Sequence, residues 1–389
     1  MTSEPPLARR SLSRRWVLGG LSAVAVATVA GCASDSGSTT SSSPSTTSGS
    51  ASASSSATAT GTAATGSVAA LAQAFYDTLT DDQKATTLLD YSLENAAKWS
   101  NLPQGLLAGG MGGGPGGGNG ARVGLSIGEL DDDQTSALNA VLKAATGSAT
   151  GLGYDQVVAQ LAADDYLAAN GGGDDYGRAN YYVALLGSPQ DSGTWEFQFG
   201  GHHLAVANTY VDGKLVGATP SFRGVEPNGD FTQDATSYDV MGVKEAAFEA
   251  MLAGLSGDAL TSAQLSDVYS DLVLGPGQDW AFPTDKLGVQ AVNLTSAEKK
   301  LVLAAIATYV QDIADDDAET ILATYESELD DTYVAYSGTT ALTEQNDYVR
   351  IDGPSVWIEF SMQRGIVLSG NHPHSVWRDR VTDYGGTQG

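Results

Sequence analysis

The sequence predicts an α+β domain, and three observations carry that prediction. Helical periodicity fills most of the first half of the domain and returns after its middle, period-two segments occur in two separated blocks, and tight turn signals join strands within each block. The expected architecture is a single large domain in which antiparallel strands from two separated segments meet, with several flanking helices.

Val68 to Thr78 is apolar-periodic, and Thr80 followed by Asp81, Asp82 and Gln83 reads as a capping box opening a second helix. A glycine tract from Gly109 to Gly120, interrupted by Met111, Pro115 and Asn119, is too permissive for regular structure and is expected to be a loop. It lacks the Gly-Lys-Ser/Thr ending of a phosphate loop, so it reads as an insertion. Helical patterns resume over Leu130 to Ala145 and Tyr154 to Ala168, and period two begins at Tyr181. Trp195, Phe197 and Phe199 alternate with Glu196 and Gln198, and Leu204 to Tyr210 turns through Asp212-Gly213 into Leu215 to Ala218. Helices follow at Val243 to Leu255, Ser262 to Leu272, Thr295 to Val310 and Asp316 to Glu328. A last hairpin joins Tyr348 to Ile351 and Val356 to Met362 through Asp352-Gly353-Pro354.

Ahead of this domain, Arg9, Arg10, Arg14 and Arg15 precede a charge-free apolar run from Trp16 to Ala30, the layout of an export signal over residues 1–31. The run is about 15 residues, short of the roughly 20 that a stable membrane-spanning helix needs. Ser13-Arg14-Arg15-Trp16-Val17-Leu18 resembles a twin-arginine motif, and such a route carries folded proteins, often with a cofactor in place. Val29-Ala30-Gly31-Cys32 resembles a lipobox, so Cys32, the only cysteine, is the expected lipidation site. Residues 32–67 are almost wholly Ser, Thr, Ala and Gly and are expected to form a disordered tether. The globular domain is then 68–389. Together these features predict an exported lipoprotein, held to the extracytoplasmic face of the cell membrane by its N-terminal lipid alone.

The charge balance narrows the partners. The chain has 19 Lys+Arg against 46 Asp+Glu, and without residues 1–31 the balance is 15 against 45, a net of −30. Nucleic acid is not an expected partner, since phosphates require a basic surface. The runs Asp131-Asp132-Asp133 and Asp315-Asp316-Asp317 lack the ligand spacing and turn glycine of a calcium loop and read as helix starts or solvated faces.

The four histidines form two tight clusters, Gly201-His202-His203-Leu204 and Asn371-His372-Pro373-His374. Imidazole is the commonest metal ligand, and with no thiolate available the other ligands would be carboxylate or water. In an extended strand His372 and His374 point to one face while His202 and His203 point to opposite faces. The economical site is therefore His372, His374 and one of the other two, unless a bulge at Gly200-Gly201 admits all four. Glu359, Asp379 and Asp383 are candidate carboxylates. Arg223, Arg350 and Arg378 are candidate anchors for a substrate carboxylate or phosphate, or partners of the abundant acids. The expected catalytic set is Glu359, Arg378 and Asp379 beside a divalent Zn, Fe, Cu or Mn ion on His202, His203, His372 and His374. No Gly-x-Ser-x-Gly elbow supports a serine nucleophile.

Several segments resemble a bacterial family catalogued as domain of unknown function 3500, many of whose members carry export signals. They are Tyr181 to Gly187, Trp195 to Leu204, Phe222 to Pro227, Ile351 to Glu359, and His372 to Asp379 followed by Asp383-Tyr384-Gly385. The likeness spans most of the chain from about residue 70 and implies one fold and a site at the histidine segments, with no reaction attached. The reading at this level is a metal-dependent enzyme, oxidoreductase or hydrolase, acting on a small molecule. The alternative is a non-catalytic lipoprotein that captures a small ligand or metal ion, with Trp195, Trp357 and Trp377 suited to stacking.

Overall fold

Both blocks of period-two sequence end up in one sheet. A computed structural model describes residues 66–108 and 120–388, all within one compact unit. The expected signal (1–31), Cys32, nearly all of the tether (32–67) and the glycine tract (109–120, apart from Gly120) lie outside the described residues. The first block supplies β1 (Tyr182–Leu186), β2 (Thr194–Gly201), β3 (Leu204–Val211) and β4 (Ser221–Gly224). The last block supplies β5 (Tyr333–Ser337), β6 (Tyr348–Asp352), β7 (Val356–Arg364) and β8 (Asn371–Asp379). Their order is β1-β2-β3-β4-β8-β7-β6-β5, antiparallel throughout, and four shorter strands bring the sheet to twelve. One of these, Leu88–Leu89, runs parallel to β1, so the sheet is mixed at that edge.

The two blocks are stitched together where β4 pairs with β8, placing Gly224 opposite His374. Leu204 of β3 pairs with Arg223 of β4, so the chain just before β3 lies at the same seam. That seam carries both histidine clusters.

Helices cover one face. α1 (Val68–Thr78) and α2 (Asp132–Ala145) pack with Trp195, Phe197, Phe199 and Val206. α4 (Gly242–Gly254), α5 (Ser296–Val310) and α6 (Asp315–Ser327) pack over Val349, Ile358 and Phe360, and α3 (Gly153–Leu167) packs behind the seam. The Asp runs start helices: Asp131 caps α2 in a box with Gln134, and Asp315 to Asp317 form the first turn of α6, where the helix dipole favours anions. Among the described residues no helix is long and apolar enough to cross a membrane.

The opposite face is covered by irregular chain. Trp99, Leu186, Ala205, Phe222, Val376 and Tyr384 form a smaller core there, closed by residues 90–102 and a strap of residues 264–288. The sequence predicts a helix from Ser262 to Leu272, but the helix is only Asp258–Ala263. Gln264 bridges Tyr336, and Leu265 N–H donates to the Tyr336 carbonyl, which draws the chain out along the sheet edge. The Ser-Asp pairs that follow favour turns over a continued helix.

Candidate metal centre at the sheet seam

Two elements aim imidazoles at one point. In β8, alternation puts His372 and His374 on the same face, and their Nε2 atoms lie 3.1 Å apart. His202 and His203 are not in a strand, contrary to the extended geometry assumed from sequence. They form the two-residue turn between β2 and β3, where Gly201 pairs with Leu204. His203 takes a left-handed conformation, φ 61°. A non-glycine residue there costs on the order of 1 kcal/mol or more, a strain that is retained where the position is used. The turn swings His203 across the seam, and its Nε2 lies 3.2 Å from that of His374.

Gly200 and Gly201 make no bulge; the register is regular through both. They are glycine for clearance: a Cβ on Gly201 would sit 2.5 Å from the Tyr181 ring, and one on Gly200 would sit 2.5 Å from the Leu204 carbonyl. Tyr181 in turn donates its hydroxyl to the His202 carbonyl at 2.6 Å, and Arg122 Nη2 donates to the Gly201 carbonyl at 2.7 Å. The turn is thereby clamped from both sides.

Among the described residues, His203, His372 and His374 form the one group whose ligand atoms lie within 4.8 Å of one another, and all three are buried. Burial, and then the neighbouring imidazoles, hold His203 well below its ordinary value, and burial followed by His374 and His202 lowers His372 to about 2. Both are therefore neutral at neutral pH, the form that binds metal. The three histidines can hold a metal ion.

The sequence model of a family described as Protein of unknown function (DUF3500) matches residues 61–386. The chain belongs to the DUF3500 family. No curated protein and no solved structure matches it.

In this DUF3500 member the fourth histidine stands beside the cluster. His202 stacks on His203 with ring centroids 3.7 Å apart, and its Nδ1 lies 2.6 Å from Asp164 Oδ1 of α3. Asp164 also accepts from Gly177 N–H, so the carboxylate that fixes His202 is itself fixed. His374 Nδ1 lies 3.3 Å from Asp271 Oδ1 on the strap and 3.5 Å from Asn101 Nδ2. The Nδ1 atoms of His203 and His372 are buried with no hydrogen-bond partner among the described residues.

The carboxylates singled out from sequence point their hydrogen bonds elsewhere. Glu359 accepts from Val273 and Leu274 N–H, Tyr348 and Trp357, which staples the strap to the sheet. Arg378 donates to Asp383, Asp279 and the Leu274 carbonyl. Asp379 lies on the helix-covered face, accepting from Tyr325 and from Val381 and Thr382 N–H. The acids that do touch the imidazoles, Asp164 and Asp271, carry no distinguishing local pattern among 46 acidic residues, and neither does the amide Asn101.

Proposed function

We propose that His203, His372 and His374 bind a divalent transition-metal ion and that the protein is a metal-dependent hydrolase of a small molecule. The observation that carries this reading is His374 Nε2 standing 3.1 and 3.2 Å from two other Nε2 atoms. An imidazole nitrogen is either a donor or an acceptor, so one hydrogen bond satisfies at most one of these contacts. Ligand nitrogens around a tetrahedral ion with bonds of 2.0–2.1 Å stand about 3.3 Å apart, which matches both.

A divalent ion held by these three imidazoles would supply a Lewis acid and would lower the pKa of a bound water toward 7. Zinc fits this ligand set best, with iron, copper and manganese as the other ions. Asp271 accepts from His374 Nδ1 and sets its tautomer; Asp164, through His202, braces the face of His203. As further parts of the proposal, the domain is exported and anchored by lipidated Cys32 on a tether, and no nucleic acid partner is expected of so acidic a chain.

The test is turnover on a panel of chromogenic carboxylic and phosphate esters and amides before and after chelation. Activity lost with the metal and restored by zinc supports the enzyme. Full zinc binding with no turnover on any of them contradicts it and favours the capture lipoprotein.

A further inference from the structure

Three arginines beside the strand motifs are candidate anion anchors by sequence, and the fold uses two of them up. Arg223 pairs with Asp312 and Gln156 and donates to the Ala205 and Phe222 carbonyls. Arg378 is bound by Asp383 and Asp279. Arg350 is different. It is 2 % exposed, yet its Nε and Nη2 are sealed from water and have no hydrogen-bond partner among the described residues.

Neither nearby acid hydrogen-bonds this edge. Asp352, two residues along β6 on the same face, holds Lys286 at 2.5 Å and Arg380 at 2.7 Å, both through Oδ1, while its Oδ2 is buried without a hydrogen-bond partner among the described residues. Glu359, opposite Arg350 across the strand pair, is occupied by four other donors. Two rings flank the guanidinium, Trp357 at 5.1 Å and Tyr269 at 6.0 Å. Such contacts offset only part of the cost of burying an ion, and a guanidinium cannot shed its proton. Neither carboxylate reaches Nε or Nη2 with a hydrogen bond, so this edge of the fork calls for an acceptor that the described residues do not place there.

The shape of that edge defines the acceptor. Nε–H and one N–H of Nη2 form the side of the guanidinium fork, spaced for the two oxygens of a carboxylate. Lys286 and Arg380 gather at the same place, a positive patch in a chain of net charge −27. The Lys286 amine lies below its ordinary value, by burial first and with Arg380 and Arg350 acting against Asp352. Asp352 and Glu359 on either side oppose a second negative charge, which favours a monoanion over phosphate.

We propose that Arg350 seats a small monocarboxylate, held side-on by Nε and Nη2 between the Trp357 and Tyr269 rings. The seat lies on the same sheet face as the histidines and under the same strap, which carries Tyr269 over Arg350 and Asp271 onto His374. Because the fork is sealed, a ligand enters only when a covering group moves, and Tyr269 is the cover that lies outside regular secondary structure.

The experiment is thermal unfolding of the full chain with increasing sodium acetate at ionic strength held constant with sodium chloride. The parent is expected to show a saturable rise in Tm that Arg350→Met abolishes and Arg350→Lys shifts to at least ten-fold higher acetate. Without acetate, Arg350→Met is expected to be no less stable than the parent, since it removes buried donors whose hydrogen bonds are unmet. No saturable rise in the parent, or the same rise in Arg350→Met, overturns the proposal; if that variant does not fold, an unchanged response in Arg350→Lys does so. An equal rise with phosphate overturns the carboxylate assignment. A His372→Ala/His374→Ala variant should keep the acetate response, and its loss there would move the effect to the metal centre and overturn the seat.

Discussion

His374 is the residue on which the centre turns, because it contacts both other ring nitrogens through Nε2 and a carboxylate through Nδ1. Among the described residues Asp271 is its one acidic contact, and it stands on the strap, a long way from any histidine in sequence. Replacing Asp271 with Asn keeps the shape but removes the charge that orients and strengthens the imidazole. We expect the apparent metal Kd to rise about 10- to 100-fold with little change in Tm of the metal-free protein, as measured by competition with a chromophoric chelator. An unchanged Kd would show that Asp271 has no hold on His374. The histidines themselves were legible in the sequence, because four residues confined to two clusters are conspicuous. Asp271 and Asp164 were not, since one acid among 46 becomes meaningful only once the fold brings it to a ring.

At the scale of the elements, the helices were legible to within a residue or two wherever a cap and an amphipathic pattern agreed, as at Val68–Thr78 and, with Thr295 as cap, at Ser296–Val310. Three strands, β4, β5 and β8, were not separately called. Each is buried on both sides, so alternation between polar and apolar residues, the usual strand signal, is weak there. The same double burial explains the acids within the sheet. Glu196 of β2 is fully buried, accepts from Thr209 of β3 at 2.9 Å, and is raised by burial to about 7. Its folded value exceeds its ordinary 4.5, so the folded state holds the proton more tightly and stability falls as pH rises from about 4.5 to 7. The whole effect is about 3 kcal/mol. Glu196→Gln removes the titration and can keep both contacts, its oxygen accepting from Gln198 and its amide donating to the Thr209 hydroxyl. Urea unfolding at pH 5 and pH 8 should show the variant gaining about 2 to 3 kcal/mol on the parent between the two; parallel stabilities would contradict the burial argument.

For the whole molecule, the α+β class and the meeting of two strand blocks followed from sequence, whereas the seam that joins them did not. Nothing local in Ser221–Gly224 announces that it pairs with both β3 and β8. That pairing builds the histidine cluster, because it carries a turn from one block and a strand from the other to within 3.2 Å at the histidines. The centre therefore exists only in the fully assembled sheet, and metal binding should stabilise the whole fold, not one part of it. The most direct test of the account is elemental analysis of the full chain, purified from an exporting host, beside a His372→Ala/His374→Ala variant shown to be folded. The account predicts close to one zinc or other transition-metal ion per chain in the parent and none in the variant. No metal in the parent, and none taken up on addition, would contradict it.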